Sequence, residues 1–273
     1  MDLNGARTDL AAEDLPQNGG ELPGVRSRAY DRDGFHVTDV EVLDDEGAKA
    51  LCKPIGKYLT MDMDSFLRRE EDSFARAAAL LADCVRSLLP LDEDQSVLVA
   101  GLGNPAITPD AIGPEAAAYT LATRHLKERS ETDFSFLRPV SVCRTGVLGT
   151  TGIESAELIR AVCGAVRPGA VVVVDALAAR STERLCRTVQ LTDSGIVPGS
   201  GVGNDRAELS RRVLGVPVTA IGVPTVVDAG SGLIVTPRDI DRSVKDAGKL
   251  IAYALNLAFH PSLSVSDVDM FVG

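Results

Sequence analysis

The chain has 273 residues, 45% of them hydrophobic and 4% aromatic, and its 39 Asp and Glu against 28 Lys and Arg leave a net charge of −11. That composition buries a core and excludes a chain disordered over most of its length, and at roughly 150 residues per domain the length leaves one large or two small domains. A pI near 4.8 argues against nucleic-acid binding, which rests on clustered Lys and Arg, and against an anionic membrane surface.

The opening Met1-Asp2-Leu3-Asn4-Gly5 lacks the basic and apolar regions of a signal peptide, and no later run approaches a bilayer span, so the expected location is cytoplasmic. Residues 1–50 hold 12 acidic and 5 basic side chains, a net −7, whereas residues 51–273 carry only −4. The composition of this head reads as a solvated, partly mobile segment, and the sharper alternative is a removable or regulatory one. Residues 11–33, with Asn18-Gly19-Gly20 and Leu22-Pro23-Gly24, read as irregular.

A strand is expected over residues 35–43, carrying Val37, Val40 and Val42. Leu67, Phe74, Ala78, Leu81, Val85 and Leu88 then recur at helical spacing over residues 64–89, until Pro90 stops the helix. Short apolar runs follow at 97–100, 140–142, 171–174, 188–191 and 218–222, separated mostly by helical patterns near 111–126, 153–166 and 239–257. This alternation predicts an α/β fold, a mostly parallel sheet with helices on both faces in a three-layer, phosphorylase/hydrolase-like arrangement, preceded by an irregular acidic segment. The four valines at 171–174 suit a central strand buried on both faces. Thr151-Gly152-Ile153-Glu154 has the spacing of a capping box at the start of the next helix. Cys52, Cys84, Cys143, Cys163 and Cys186 form no Cys-x-x-Cys pair, so neither a disulfide framework nor a zinc ribbon is expected, and buried reduced thiols are the default.

In an open parallel sheet ligands bind beyond the carboxyl ends of the strands. Four connections there are unusual: residues 101–114, with Asp110 just before a helix; Asp175, directly after the valine strand; the Gly-rich 193–204; and 222–228. If the strands are parallel, all four share one rim. For Asp110, capping of the helix is a competing reading. Asp175 is harder to dismiss, because a carboxylate leaving an apolar strand needs a partner or a raised pKa. Two carboxyls brought together share a proton, and such a pair can deprotonate a water while protonating the leaving group, as in aspartic-type hydrolysis. The nucleotide reading is weakened because Ala106 stands where Gly-x-Gly-x-x-Gly needs its last glycine. Residues 199–203 do not spell Gly-x-Ser-x-Gly, and His36, His125 and His260 lie far apart without a His-Glu-x-x-His.

With these residues in view, the chain resembles the germination proteases of endospore-forming bacteria. The likeness covers residues 6–13 (Ala-Arg-Thr-Asp-Leu-Ala-Ala-Glu), the loop 101–114 with its Thr-Pro-Asp-Ala-x-Gly-Pro core, and the stretches 151–157, 175–178, 195–204 and 220–229. The family in turn is similar to hydrogenase-maturation endopeptidases, with their Gly-x-Gly-Asn loop and later Asp. The resemblance implies an endopeptidase that degrades small acid-soluble spore proteins in the forespore or spore core during germination. It implies catalytic aspartates at Asp110 and Asp175, no cofactor and no metal, and a homotetramer. It also implies a zymogen cut close to Asp9-Leu10 or slightly beyond, with a propeptide at residues 1–9 and a single peptidase domain at 10–273. Some family members continue further at the carboxyl end, whereas here the helix ending near Phe259 leads directly through Pro261-Ser262-Leu263 to Gly273. Two other readings stand beside this one: a maturation-type peptidase with Asp110 and Asp175 as contacts to a metal in its client, and a non-catalytic α/β protein whose acidic rim holds basic peptides.

Overall fold

The structure is a computed structural model describing residues 7–16, 20–89, 91–92, 94–130, 133–203, 206–230 and 232–272. Among the described residues nine strands form one sheet: β1 (Val25–Arg32), β2 (Phe35–Val42), β3 (Gly56–Asp62), β4 (Val97–Leu102), β5 (Val140–Gly146), β6 (Ala170–Ala178), β7 (Thr188–Thr192), β8 (Val218–Gly230) and β9 (Leu233–Val235). Their order is β1-β2-β3-β7-β8-β6-β4-β5, with β9 paired to β8.

The α/β fold with helices on both faces is what is observed, but the sheet is mixed. β5-β4-β6-β8 is parallel, whereas β8-β7-β3-β2-β1 and β8-β9 are antiparallel. A parallel crossover needs a helix-length connection. Such connections carry the chain from β4 to β5 and from β5 to β6, while only the 3₁₀ turn Thr182–Arg184 separates β6 from β7, and there the chain reverses.

The parallel half has two apolar faces. Val97, Val99, Val172 and Val174 pack with Leu81 and Val85 of the helix Ser73–Leu88 and with Leu250 and Leu255 of the helix Ile240–Phe259. Leu98, Ala100, Val171 and Val173 pack on the other side with Ala156 and Ile159 of the helix Ser155–Val166. Full burial of each large aliphatic side chain contributes about 1.5–3 kcal/mol.

Several local expectations change. Residues 11–33 contain the 3₁₀ turn Ala11–Glu13 and the whole of β1. β1 is an edge strand with mostly exposed side chains, half of them charged, so it has no apolar alternation to read. It is held by pairing to β2 and by cross-strand ion pairs such as Arg28–Asp39 (2.8 Å) and Arg26–Glu41 (3.0 Å). The helix expected over 64–89 is two, Asp64–Leu67 and Ser73–Leu88, broken where Arg69 and Asp72 turn left-handed. That expected near 111–126 is also two, Ile112–Tyr119 and Arg124–Arg129. Thr151 ends a short helix, Leu148–Thr151, instead of opening the next. Gly152 takes φ 71°, and the Thr151 hydroxyl accepts from Ile153 N at 3.1 Å, so the capping box is not formed. Among the thiols, Cys84 and Cys186 are buried but Cys52 is exposed, at the left-handed end of the helix Asp45–Leu51. Among the described residues, no helix is long and apolar enough to cross a membrane.

One buried side chain joins the long carboxyl-terminal helix to the helix that follows the 101–114 loop. Asn256 Oδ1 accepts from Leu121 N at 2.9 Å, and its Nδ2 donates to Tyr119 O at 2.9 Å, which satisfies the end of Ile112–Tyr119. Asn256→Ala leaves both main-chain groups unpaired, at a cost of about 2–3 kcal/mol. Thermal unfolding should show a melting temperature lower by about 5–10 °C.

Candidate active site

β4 ends at Leu102, and the chain turns through Gly103 into a loop that closes on itself. Gly103 has φ 108°, and a Cβ there would lie 1.9 Å from the main-chain oxygen of Asp110. Only glycine permits that approach. The closed turn lets Asn104 N donate to Asp110 Oδ2 at 2.8 Å. Asp110 itself sits in the 3₁₀ turn Thr108–Asp110, and the helix Ile112–Tyr119 has no side-chain cap. The carboxylate therefore faces back into its own loop instead of capping the helix. Two further bonds fix the turn: Thr225 Oγ1 of β8 donates to Pro109 O at 2.6 Å, and Thr108 Oγ1 donates to Asp241 Oδ1 at 2.8 Å. Burial raises the Asp110 carboxyl above its ordinary value of 3.8, opposed by the Asn104 N–H.

Asp175 is not in a loop after the valine strand; it lies within β6, which runs on to Ala178. It is 5% exposed and pairs in register with Gly222 of β8. Its Oδ1 accepts from Ala176 N at 2.9 Å. Burial pushes this carboxyl well above 3.8, the charge of Asp110 adds to the rise, Ala176 N–H opposes it, and Asp9 adds a further increment. The effect falls on Asp175 because it is the more deeply buried of the two.

The loops do not all leave from one rim. β7 runs against β8, so residues 193–203 depart from the other end of the sheet, and the 3₁₀ turn Ser200–Val202 brings the chain back beside Ala178 of β6. Asn204 lies outside the described residues. Residues 222–228 are not a loop, because β8 continues to Gly230.

The amino-terminal head is fastened here. Asp9 N donates to Ala178 O at 2.9 Å, and the Asp9 carboxylate accepts from Ala178 N and Ser200 Oγ, each at 2.8 Å. Burial raises its pKa, opposed mainly by those donors. Leu10 is fully buried with Leu177, Ala179, Leu185 and Val227. Four residues beyond Asp9, the Glu13 carboxylate accepts from Arg180 N at 2.7 Å and Ser181 N at 2.9 Å. Lys53 Nζ bonds Thr8 O at 2.9 Å and Asp14 at 3.0 Å. A cleft of about 780 Å³ runs alongside, lined among others by Thr8, Asp9, Lys53 and Ser200, and neither Asp110 nor Asp175 is on its wall.

Gln190, in the middle of β7, was not singled out by sequence. It is buried and holds the head on both sides of Leu10, from Nε2 to Asp9 O at 2.9 Å and from Ala11 N to Oε1 at 2.7 Å. The one signal available was an amide side chain inside a strand buried at every position. The histidines take no part. His36 pairs with Asp31, and His260 is buried at the end of a helix, where it accepts from Arg138 N and burial lowers it to about 4. Among the described residues, no three His, Cys, Asp or Glu side chains are placed to hold a metal ion.

Residues 6–232 match a family described as germination protease. That makes the protein a peptidase, a hydrolase built on an α/β sheet. Over 98% of both chains it is 38% identical to a germination protease of Caldanaerobacter subterraneus subsp. tengcongensis. It is 36% identical to one of Clostridium tetani, over 97% of this chain and 99% of the other. A third, from Priestia megaterium, is 43% identical over 89% of this chain and 68% of its own. The chain belongs to the germination protease family. Among solved structures, the [NiFe] hydrogenase maturation protease HycI of Thermococcus kodakarensis matches at TM-score 0.39 and 21% identity, over 64% of this chain and 98% of that one.

Because the Asp175 carboxyl ionises less readily folded than unfolded, it favours the folded state only while protonated in both, below 3.8, and this support is lost as pH rises through its elevated folded value. Asp175→Asn should therefore raise the melting temperature at pH 7 by at least about 2 °C. The gain should shrink as the pH is lowered toward 4, measured by calorimetry across that range.

Proposed function

We propose that this peptidase is an aspartic-type endopeptidase of the spore core that degrades small acid-soluble spore proteins, made as a zymogen that cuts itself between Asp9 and Leu10. The observation that carries the reading is the burial of Asp175 within β6, with Asp110 in the loop that follows the adjacent parallel strand β4 and near enough for its charge to raise the Asp175 carboxyl further. In a pair of this kind the deeper carboxyl keeps the proton, so Asp175 is the acid and Asp110 the base that takes a proton from water. The docking of Thr8–Glu13 along the end of β6 supports self-cleavage, since it brings an acidic peptide of this chain to the site. Residues 1–9 are then a propeptide and the remainder a single peptidase domain. The homotetramer belongs to the same proposal and rests on the family resemblance.

Removing the propeptide takes away Asp2, Arg7 and Asp9, a change of one net charge. It acts locally instead. Loss of Asp9 removes one of the charges that keep Asp175 protonated, and loss of the covering segment admits solvent, so both changes lower the Asp175 pKa. Incubated wild-type protein should yield a new amino terminus at Leu10 by mass spectrometry. Asp110→Asn and Asp175→Asn should each reduce that cleavage, and cleavage of a spore-protein peptide, by at least about 10³-fold. Full activity in both variants would remove the carboxyl pair from the mechanism. The pH profile of the processed form should lose its alkaline limb at lower pH than self-cleavage does.

A further inference from the structure

The docked head presents one peptide bond in an unusual way. The Asp9 side chain is held by Ala178 N and Ser200 Oγ, its main-chain N–H by Ala178 O, and its main-chain carbonyl by Gln190 Nε2. On the other side of Leu10, Ala11 N–H is taken by Gln190 Oε1. One buried amide thus spans the Asp9–Leu10 bond. Its orientation is settled by the network: Ala11 N–H needs the amide oxygen, so the amide NH₂ faces the Asp9 carbonyl.

The register places this amide on the chemistry's side of the sheet. Gln190 pairs with Gly222, and Gly222 pairs with Asp175. Directly paired residues share a face, so Gln190 and Asp175 emerge from the same side, two strands apart, with the Leu177 side chain filling the space over Gly222 between them. A glutamine suits this place. It donates a hydrogen bond to an oxygen that gains negative charge, yet it brings no positive charge that would pull the proton from the carboxyl pair, as a lysine or arginine would.

We infer that Gln190 is a catalytic residue that polarises the scissile carbonyl, donating from Nε2 to the oxygen of the acidic residue on the amino side of the bond cut. The inference rests on the proposed cleavage between Asp9 and Leu10. The oxygen of water adds to the Asp9 carbonyl carbon, its proton passes to the ionised carboxyl, and the carbonyl electron pair moves onto the oxygen facing Gln190. Collapse restores the carbonyl and breaks the carbon–nitrogen bond, and Leu10 N takes a proton from the other carboxyl. Gln190 is unchanged throughout and holds the oxygen more strongly in the intermediate than in the amide, which is the requirement for accelerating the step.

The competing role is a structural clip for the head. A clip matters for self-cleavage but not for turnover of an added peptide once residues 1–9 are gone. Gln190→Met and Gln190→Glu should therefore be made in the full chain, and also in protein beginning at Leu10, prepared by cutting at an engineered site. Each is then assayed on a peptide spanning Arg7–Glu13. In the processed form Gln190→Met should lower kcat by about 100-fold with KM changed far less. Gln190→Glu keeps the acceptor for Ala11 N–H but donates only when protonated, so its rate relative to wild type should climb on acidification. An unchanged kcat in both processed variants, or a loss confined to KM, would overturn the assignment. If Gln190→Met does not fold, the pH-dependent ratio of Gln190→Glu to wild type decides by itself, and a flat ratio overturns it. The two readings fail separately: full activity of Asp110→Asn and Asp175→Asn strikes out the carboxyl pair and leaves the Gln190 result standing, whereas wild-type protein that never cuts between Asp9 and Leu10 overturns both.

Discussion

Everything at the site depends on the burial of an ionisable group in strand β6. Its four valines are covered on both faces, and β4 and β8 flank it in parallel. Asp175 follows in the same strand without a break, so its carboxyl inherits the dry surroundings of the core. Taking an unpaired carboxylate into such a place is costly, and the group responds by holding its proton. The neighbouring Asp110 and Asp9 push it the same way. The apolar strand that stabilises the fold thereby raises the pKa of the carboxyl it carries.

The same strand positions its own peptide. Beyond Asp175 the pairing with β8 slips between Leu177 and Ala178, an irregularity of the kind that redirects a strand. Ala178 then offers both its N–H and its C=O to Asp9. Main-chain amides of Ala178, Arg180 and Ser181 receive the carboxylates of Asp9 and Glu13. These N–H donors are neutral and hold the carboxylates without placing a positive charge of their own beside Asp175, so an acidic segment can dock close to a buried acid.

The excess negative charge of the first 50 residues reads differently in this light. Asp14 meets Lys53 and Arg180, Asp39 meets Arg28 and Lys57, and Glu41 meets Arg26. Composition suggested a solvated tail because a count of charges does not say where the counter-charges lie. Lys53 and Arg180 are 127 residues apart in the chain and meet the head only because β3, β7, β8 and β6 are neighbours in the sheet.

The sequence by itself determined the features whose physics is local. Apolar runs marked β4, β6 and the start of β8, helical periodicity marked the long helices, and the abrupt carboxylate after four valines marked Asp175. The Gly-rich turn before Asp110 was also legible, since a loop that closes on itself needs glycine at Gly103. Tertiary structure decided the rest. The reversal of β7 turned an expected parallel sheet into a mixed one, and it carried Gln190 to the same face as Asp175. β1 became a strand through its partner and not through its own pattern. The head is docked on the end of β6 because its acids found amides and a hydroxyl supplied by residues 178–200. Strand pairing across such separations depends on which chain directions and registers the whole sheet can close, and no window of sequence contains that information.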